Sequence, residues 1–149
     1  MSHANARLTM HGRVLLVRRV RFEHRPVAEG ERLVERRRIE QAADLLAAAT
    51  SPLVVGGGGV VLADASGEFT AVAERLQAAV VNTREGKGCI DERNPLFVGT
   101  AWVNRRLKPV INQADVILAV GTRYQGVGLE PGQRLIHIDV DERDRKSVV

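Results

Sequence analysis

Gly56 to Gly59 form an unbroken run of four glycines, entered from the apolar stretch Leu53 to Val55. Each glycine loses more backbone freedom on ordering than any other residue, so four in a row need a reason. Two later stretches repeat the theme, "NTREGKG" at 82–88 and "GTRYQG" at 121–126, where glycine stands beside Lys or Arg. Glycine lets backbone N–H groups come close to an anion, and a neighbouring cation adds charge-assisted hydrogen bonds. The chemistry suited to these residue types is the capture of a phosphate or diphosphate, with the glycines as its floor.

Other reactive side chains carry less. Cys89 is the single cysteine, which excludes an internal disulfide, and no Cys or His cluster of metal-binding spacing accompanies it. No neighbouring His or basic cluster would activate its thiol, so a loop or core thiol outweighs a nucleophile. His137 lies between Ile136 and Ile138, and a satisfied sheet histidine outweighs a catalytic base. Trp102 could cover an adenine, although packing against the sheet is the stronger expectation.

The elements that must position these residues alternate between two periods. "RRRIEQAADLLAAAT" places Ile39, Ala42, Ala43 and Leu46 on one helical stripe, stopped at Pro52. Leu53 to Val55 is short and apolar, as a buried strand would be. "ADASGEFTAVAERLQA" sets Phe69, Val72, Ala73 and Leu76 at helical spacing, and "AAVVN" at 78–82 reads as a second strand. "TAWVNRRLKPVINQA" predicts a helix presenting Val103, Leu107, Val110, Ile111 and Ala114, kinked at Pro109. "DVILAVG" at 115–121 and "RLIHIDVD" at 134–141 complete four strands. Strands apolar on both faces and separated by amphipathic helices imply a parallel sheet covered on both sides. The expected fold is α/β, a Rossmann-like doubly wound sheet in three layers.

In such a sheet ligands bind outside the carboxyl ends of the strands, where the strand order reverses. The loops expected there are "GGGG", "NTREGKG", "GTRYQG" and "DVDERD". A dinucleotide fingerprint of the NAD type is disfavoured. Leu62 stands where its third glycine belongs, and the second strand ends in Asn82 and Thr83 rather than in an acidic residue.

With 149 residues, 44% hydrophobic and 27% charged, the chain suits one globular domain with a core of Val, Leu, Ile and Ala. No apolar run approaches membrane-spanning length and no signal-peptide pattern opens the chain, so a cytoplasmic, non-membrane protein is expected. The net charge of +4 is unevenly placed: residues 1–38 carry ten Lys/Arg against four Asp/Glu. An arm gripping nucleic acid is one reading of that segment. A solvated linker or outer helix face outweighs it, because Phe22 is its sole aromatic and no nucleic-acid motif is present. Residues 1–35 are read as a basic linker or the remnant of a preceding domain, and 36–149 as the folded domain.

Taken together, "SPLVVGGGGV", "AERLQAAVVNTREGKGCIDERNPLFVGTAW", "ADVILAVGTRYQ" and "LIHIDVDERDRKSV" resemble the central domain of thiamine-diphosphate-dependent enzymes, the acetolactate synthases, carboligases and 2-oxoacid decarboxylases. The most specific pieces are "GKG", "NPLFVG", "ADVILAVGTR" and "IHIDVDE", in this order, and the resemblance covers about residues 36–149. It implies a Rossmann-like domain that holds the ADP half of FAD in some members and acts as a structural spacer in others. Matched by position, the flavin contacts would come from Gly57, Gly58, Gly59, Thr83, Gly86, Lys87, Gly121, Thr122, Arg123, Asp139 and Asp141. Thiamine diphosphate and Mg²⁺ belong to flanking pyrimidine- and pyrophosphate-binding domains, whose catalytic glutamate and Gly-Asp-Gly segment are not in this sequence. The resemblance further implies a homo-oligomer whose sheet would continue to a last strand after "DERDRKSVV". A truncated product, an excised domain and one piece of a split enzyme are the readings of that ending. The sequence departs from flavin-binding members after "GTR", where "YQGVGLEP" lacks a second arginine, at Asn94, where His before the proline is usual, and at Ala101, where glycine is usual. The alternatives are the FAD-binding domain of an electron-transfer flavoprotein α subunit and nucleic-acid binding through the basic arm.

Overall fold

The computed structural model describes residues 29–124 and 128–139. Helix α1 (Glu29–Ala48) opens this part and runs continuously through residues 35 and 36. Strand β1 (Pro52–Gly56) follows, then the short helix α2 (Gly58–Leu62), helix α3 (Ser66–Leu76) and strand β2 (Ala79–Asn82). Strand β3 (Phe97–Thr100) leads through a 3₁₀ turn (Arg105–Leu107) into helix α4 (Lys108–Gln113), and strands β4 (Val116–Val120) and β5 (Arg134–Ile138) are the last elements among the described residues.

All five strands are parallel, in the order β3-β2-β1-β4-β5. The order reverses between β1 and β4, which are adjacent in space but far apart in sequence. Their last residues are in register across the sheet: Thr100 opposite Asn82, Asn82 opposite Gly56, Gly56 opposite Val120, and Val120 opposite Ile138. Five loops therefore leave the sheet at one level.

Side chains alternating along each strand build two cores. Val54, Val80, Leu118 and Ile136 face one side, where Leu46 of α1 and Phe69 and Ala73 of α3 cover them. Leu53, Val55, Val81, Ile117, Ala119 and Leu135 face the other, under Leu107, Ile111 and Ala114. This is the expected three-layer α/β arrangement, with both faces of a parallel sheet kept from water. The stripes on α1 and α3 pack as their spacing requires. Helix α3 carries Glu68 in its first turn and Arg75 in its last, matching the helix dipole, and ends at Gln77 in the left-handed region.

The helix expected over 100–114 is replaced by a strand, a turn and two short helical pieces. "FVGT" pairs with β2 as an edge strand, and Val103 is 61% exposed in the turn after it. Pro109 lies in the first turn of α4, where its missing N–H costs nothing, and begins that helix instead of kinking a longer one. The polyglycine run holds α2, which was not foreseen. Among the described residues no helix is long and apolar enough to cross a membrane.

Candidate functional site

A cleft of about 710 Å³ opens over the carboxyl ends of the strands, at the reversal of strand order. Gly58, Gly59 and Leu62 line it from the β1 loop, and Thr83, Arg84 and Glu85 from the β2 loop. Ala101, Trp102 and Val103 come from the β3 loop, Gly121 to Tyr124 from the β4 loop, and Asp139 follows β5. Its volume falls in the usual range for small-molecule sites, roughly 300–1,000 Å³.

The glycines around the cleft have two distinct jobs. The Gly57 amide donates to the Val120 carbonyl at 2.9 Å, and the Gly59 amide to the Gly121 carbonyl at 2.9 Å. A Cβ on Gly59 would stand 2.7 Å from the Gly121 Cα, and one on Gly57 2.6 Å from the Thr122 Cβ. The β1 and β4 loops thus touch backbone to backbone, which no other residue type permits. Gly121 is also at φ +60, in the left-handed region. Gly86 packs in the same way against Gly56, its amide donating to both the Oγ1 and the carbonyl of Thr83 at 3.1 Å. Gly58 differs: its nearest neighbour would be the Glu85 Cβ at 3.2 Å, and its amide lies outside these cross-loop bonds. Much of the polyglycine run is therefore a seam between loops, and the expected floor of backbone amides narrows to Gly58.

Further bonds fasten the rim. The Thr83 amide donates to Gly56 and the Gly121 amide to Ile138, both at 2.8 Å, extending the sheet ladder into the loops. The Tyr124 amide donates to Thr122 Oγ1 at 3.2 Å. His137 Nε2 meets the Thr122 carbonyl, and Asp139 Oδ2 lies 3.8 Å from the same nitrogen. His137 thus braces the β4 loop as a sheet histidine. Its Nδ1, the Tyr124 hydroxyl and both side-chain polar atoms of Asn82 are buried without a hydrogen-bond partner. Such groups are rare, and here they gather at the ends of β2, β4 and β5. Burial raises the Tyr124 hydroxyl above its ordinary pKa.

Of the residues expected at the site, Gly58, Gly59, Thr83, Gly121, Thr122, Arg123 and Asp139 line one cleft. Gly57 and Gly86 sit behind it in the seam, and Lys87 is exposed beside it without lining it. Asp141 lies outside the described residues. Arg84 was missed, and it supplies a second arginine to the cleft from the β2 loop. Trp102 is another correction: it is 43% exposed and lines the cleft, where packing into the sheet was expected. Its ring meets that of Tyr124 edge to face, with centroids 5.7 Å apart. Cys89 is fully buried, and burial pushes its thiol up to about 11, so it is chemically quiet as expected. Among the described residues no group of three His, Cys, Asp or Glu is placed to hold a metal ion.

Comparison with known proteins names this architecture. Residues 39–149 match the family model described as the thiamine pyrophosphate enzyme, central domain. The chain is 36% identical over 140 residues to acetolactate synthase from Arthrospira platensis, covering 84% of this chain and 22% of that protein. It is 35% identical over 116 residues to sulfoacetaldehyde acetyltransferase from Castellaniella defragrans, covering 70% of this chain and 19% of that protein. Among solved structures, the thiamine diphosphate-dependent 4-hydroxybenzoylformate decarboxylase of Rhodococcus jostii RHA1 superposes with a TM-score of 0.61 at 26% identity, over 83% of this chain and 24% of that one. The chain thus spans about a fifth of the length of the relatives it matches. Neither the electron-transfer flavoprotein nor the nucleic-acid reading is favoured by these likenesses. From its ordered loop motifs, its parallel sheet and this agreement, the chain belongs to the thiamine pyrophosphate-dependent enzymes, in which residues 39–149 form the central domain.

Proposed function

We propose that this chain serves as the nucleotide-binding central domain of a thiamine-diphosphate- and Mg²⁺-dependent enzyme of the acetolactate synthase kind, acting on 2-oxoacids in the cytoplasm. Thiamine diphosphate and Mg²⁺ are assigned to flanking pyrimidine- and pyrophosphate-binding domains or chains, with which this domain works as an oligomer. Turnover requires those partners.

The observation that carries the nucleotide reading is the convergence of five loops on one cleft that offers two arginines, two carboxylates and an aromatic pair. Those residues fit the ADP half of FAD. Arg84 and Arg123 suit the diphosphate, Asp139 or Glu85 suits ribose hydroxyls, and Trp102 suits a planar ring. The unpaired polar atoms of Tyr124, Asn82 and His137 at the same rim also suit a ligand-bearing edge. A scaffold role without nucleotide is the second reading, favoured by the Gly57 and Gly59 amides being engaged with the β4 segment.

Calorimetric titration of the purified chain with ADP and FAD, with a flavin absorbance scan, separates the two. Saturable one-to-one binding supports the nucleotide role. Absence of binding at high micromolar ligand leaves the scaffold role alone.

A further inference from the structure

We propose that Trp102 is the ring-recognition residue of the cleft, so that the site selects ligands bearing a planar heteroaromatic ring over bare diphosphates. This rests on the nucleotide reading above and adds which part of the ligand decides affinity.

Trp102 presents a large apolar ring to a cleft, 43% exposed, on a backbone at φ +62 that bulky residues rarely adopt. Its neighbour Tyr124 comes from a different loop, is 3% exposed, and is itself left-handed at φ +47. The two rings meet at 83°, so the buried tyrosine braces the exposed indole at the cleft wall. Unfavourable backbone conformations cluster where function over-determines them, and here two of them hold one aromatic surface. Leu62, 89% exposed, and Val103 extend an apolar strip along the same cleft.

The charges point the same way. Arg84 and Arg123 are matched in number by Glu85 and Asp139, so these four side chains carry no net formal charge. A bare polyanion gains little from such a balanced set. A nucleotide uses all of it, with phosphate toward the arginines, hydroxyls toward the carboxylates and a ring on the indole.

Trp102 is the single tryptophan of the chain, so its emission reports on this position alone. The test titrates ADP and inorganic pyrophosphate separately into the full chain and into W102F and W102G, by calorimetry and by emission. Glycine accepts the left-handed backbone at 102, so W102G removes the ring without straining the turn. We expect ADP to bind the unaltered chain more tightly than pyrophosphate does and to change its emission. W102F should hold ADP nearly as well, while W102G weakens it about tenfold, the scale of one base–aromatic stack. Pyrophosphate affinity should not change in W102G. Equal ADP affinity in W102G and the unaltered chain, or a parallel loss for pyrophosphate, overturns the inference and leaves the nucleotide reading intact. Emission unmoved by saturating ADP overturns it as well, independently of any variant. If neither ADP nor FAD binds the unaltered chain, both readings fall together.

Discussion

At the scale of single residues, glycine is used here mainly for contact between loops. Gly57, Gly59 and Gly121 let the β1 and β4 loops meet backbone to backbone, and Gly121 also needs its left-handed φ. Gly121→Ala should therefore cost roughly 2–4 kcal/mol, from left-handed strain together with overpacking. Gly58→Ala meets only the Glu85 side chain and backbone at 3.2–3.7 Å, and should cost less than about 1 kcal/mol. Gly67 in α3 has open space around its Cβ position, and alanine there should stabilise by about 0.4–1 kcal/mol. Urea denaturation of the three variants checks the ranking. If Gly58→Ala proves as costly as Gly121→Ala, the division between seam and cleft is wrong.

At the scale of elements, the two central strands are clamped at the edge opposite the cleft by Asp115. Its carboxylate accepts from the amides of Thr50 at 2.6 Å, Ser51 at 3.0 Å and Val116 at 2.8 Å, joining the start of β1 to the start of β4. Burial opposes its ionisation, but those amides together outweigh burial and hold its pKa below the ordinary carboxylate range. A pKa lower in the folded state than in the unfolded means that the unfolded state binds the extra proton first. The stabilisation is then complete above the unfolded value, about 3.9, and disappears as pH falls through the folded value. Asp115→Asn keeps one acceptor oxygen and loses the charge, so it should cost roughly 1–2 kcal/mol at neutral pH. The deficit should begin to shrink below about pH 4, as the unfolded chain's carboxylate takes up its proton, and disappear as pH falls through the lower folded value. Thermal melts of both proteins from pH 7 to pH 3 test this. A deficit independent of pH would remove Asp115 as an electrostatic clamp.

At the scale of the whole molecule, the cleft is assembled from five loops distant in sequence, so a bound ligand ties together segments between Gly58 and Asp139. A ligand that binds only the folded state raises stability by mass action, about 2.7 kcal/mol at one hundred times its dissociation constant. ADP or FAD at that level should raise the melting temperature of the isolated chain by several degrees, and Arg84→Ala should shrink the rise while leaving the ligand-free melt nearly unchanged. A ligand-free melt lowered as much as the liganded one would mean that Arg84 supports the fold instead of the ligand. The apolar Leu62, Trp102 and Val103 share the cleft mouth, so part of the exposed apolar surface belongs to the same region as the charged groups.

How much of this was legible in the sequence follows from how local each signal is. Four of the five strands announce themselves as short apolar runs, because a parallel strand buried on both faces has almost no polar positions. Helices α1 and α3 show in their stripes, since burial on one face imposes the helical period. Strand β3 was hidden because it lies at the sheet edge, where "FVGT" is only half-buried and carries a glycine at φ +134. The ordered loop motifs identified the family and placed Thr83, Thr122, Arg123 and Asp139 at one rim. Sequence alone settled the layer architecture and the kinship, because hydrophobic periodicity and motif order are properties of the chain taken a few residues at a time. Only the tertiary structure decided that Gly57 and Gly86 pack behind the cleft, and that Arg84 and Trp102 face into it. That outcome depends on which loops touch, and those contacts join residues tens of positions apart.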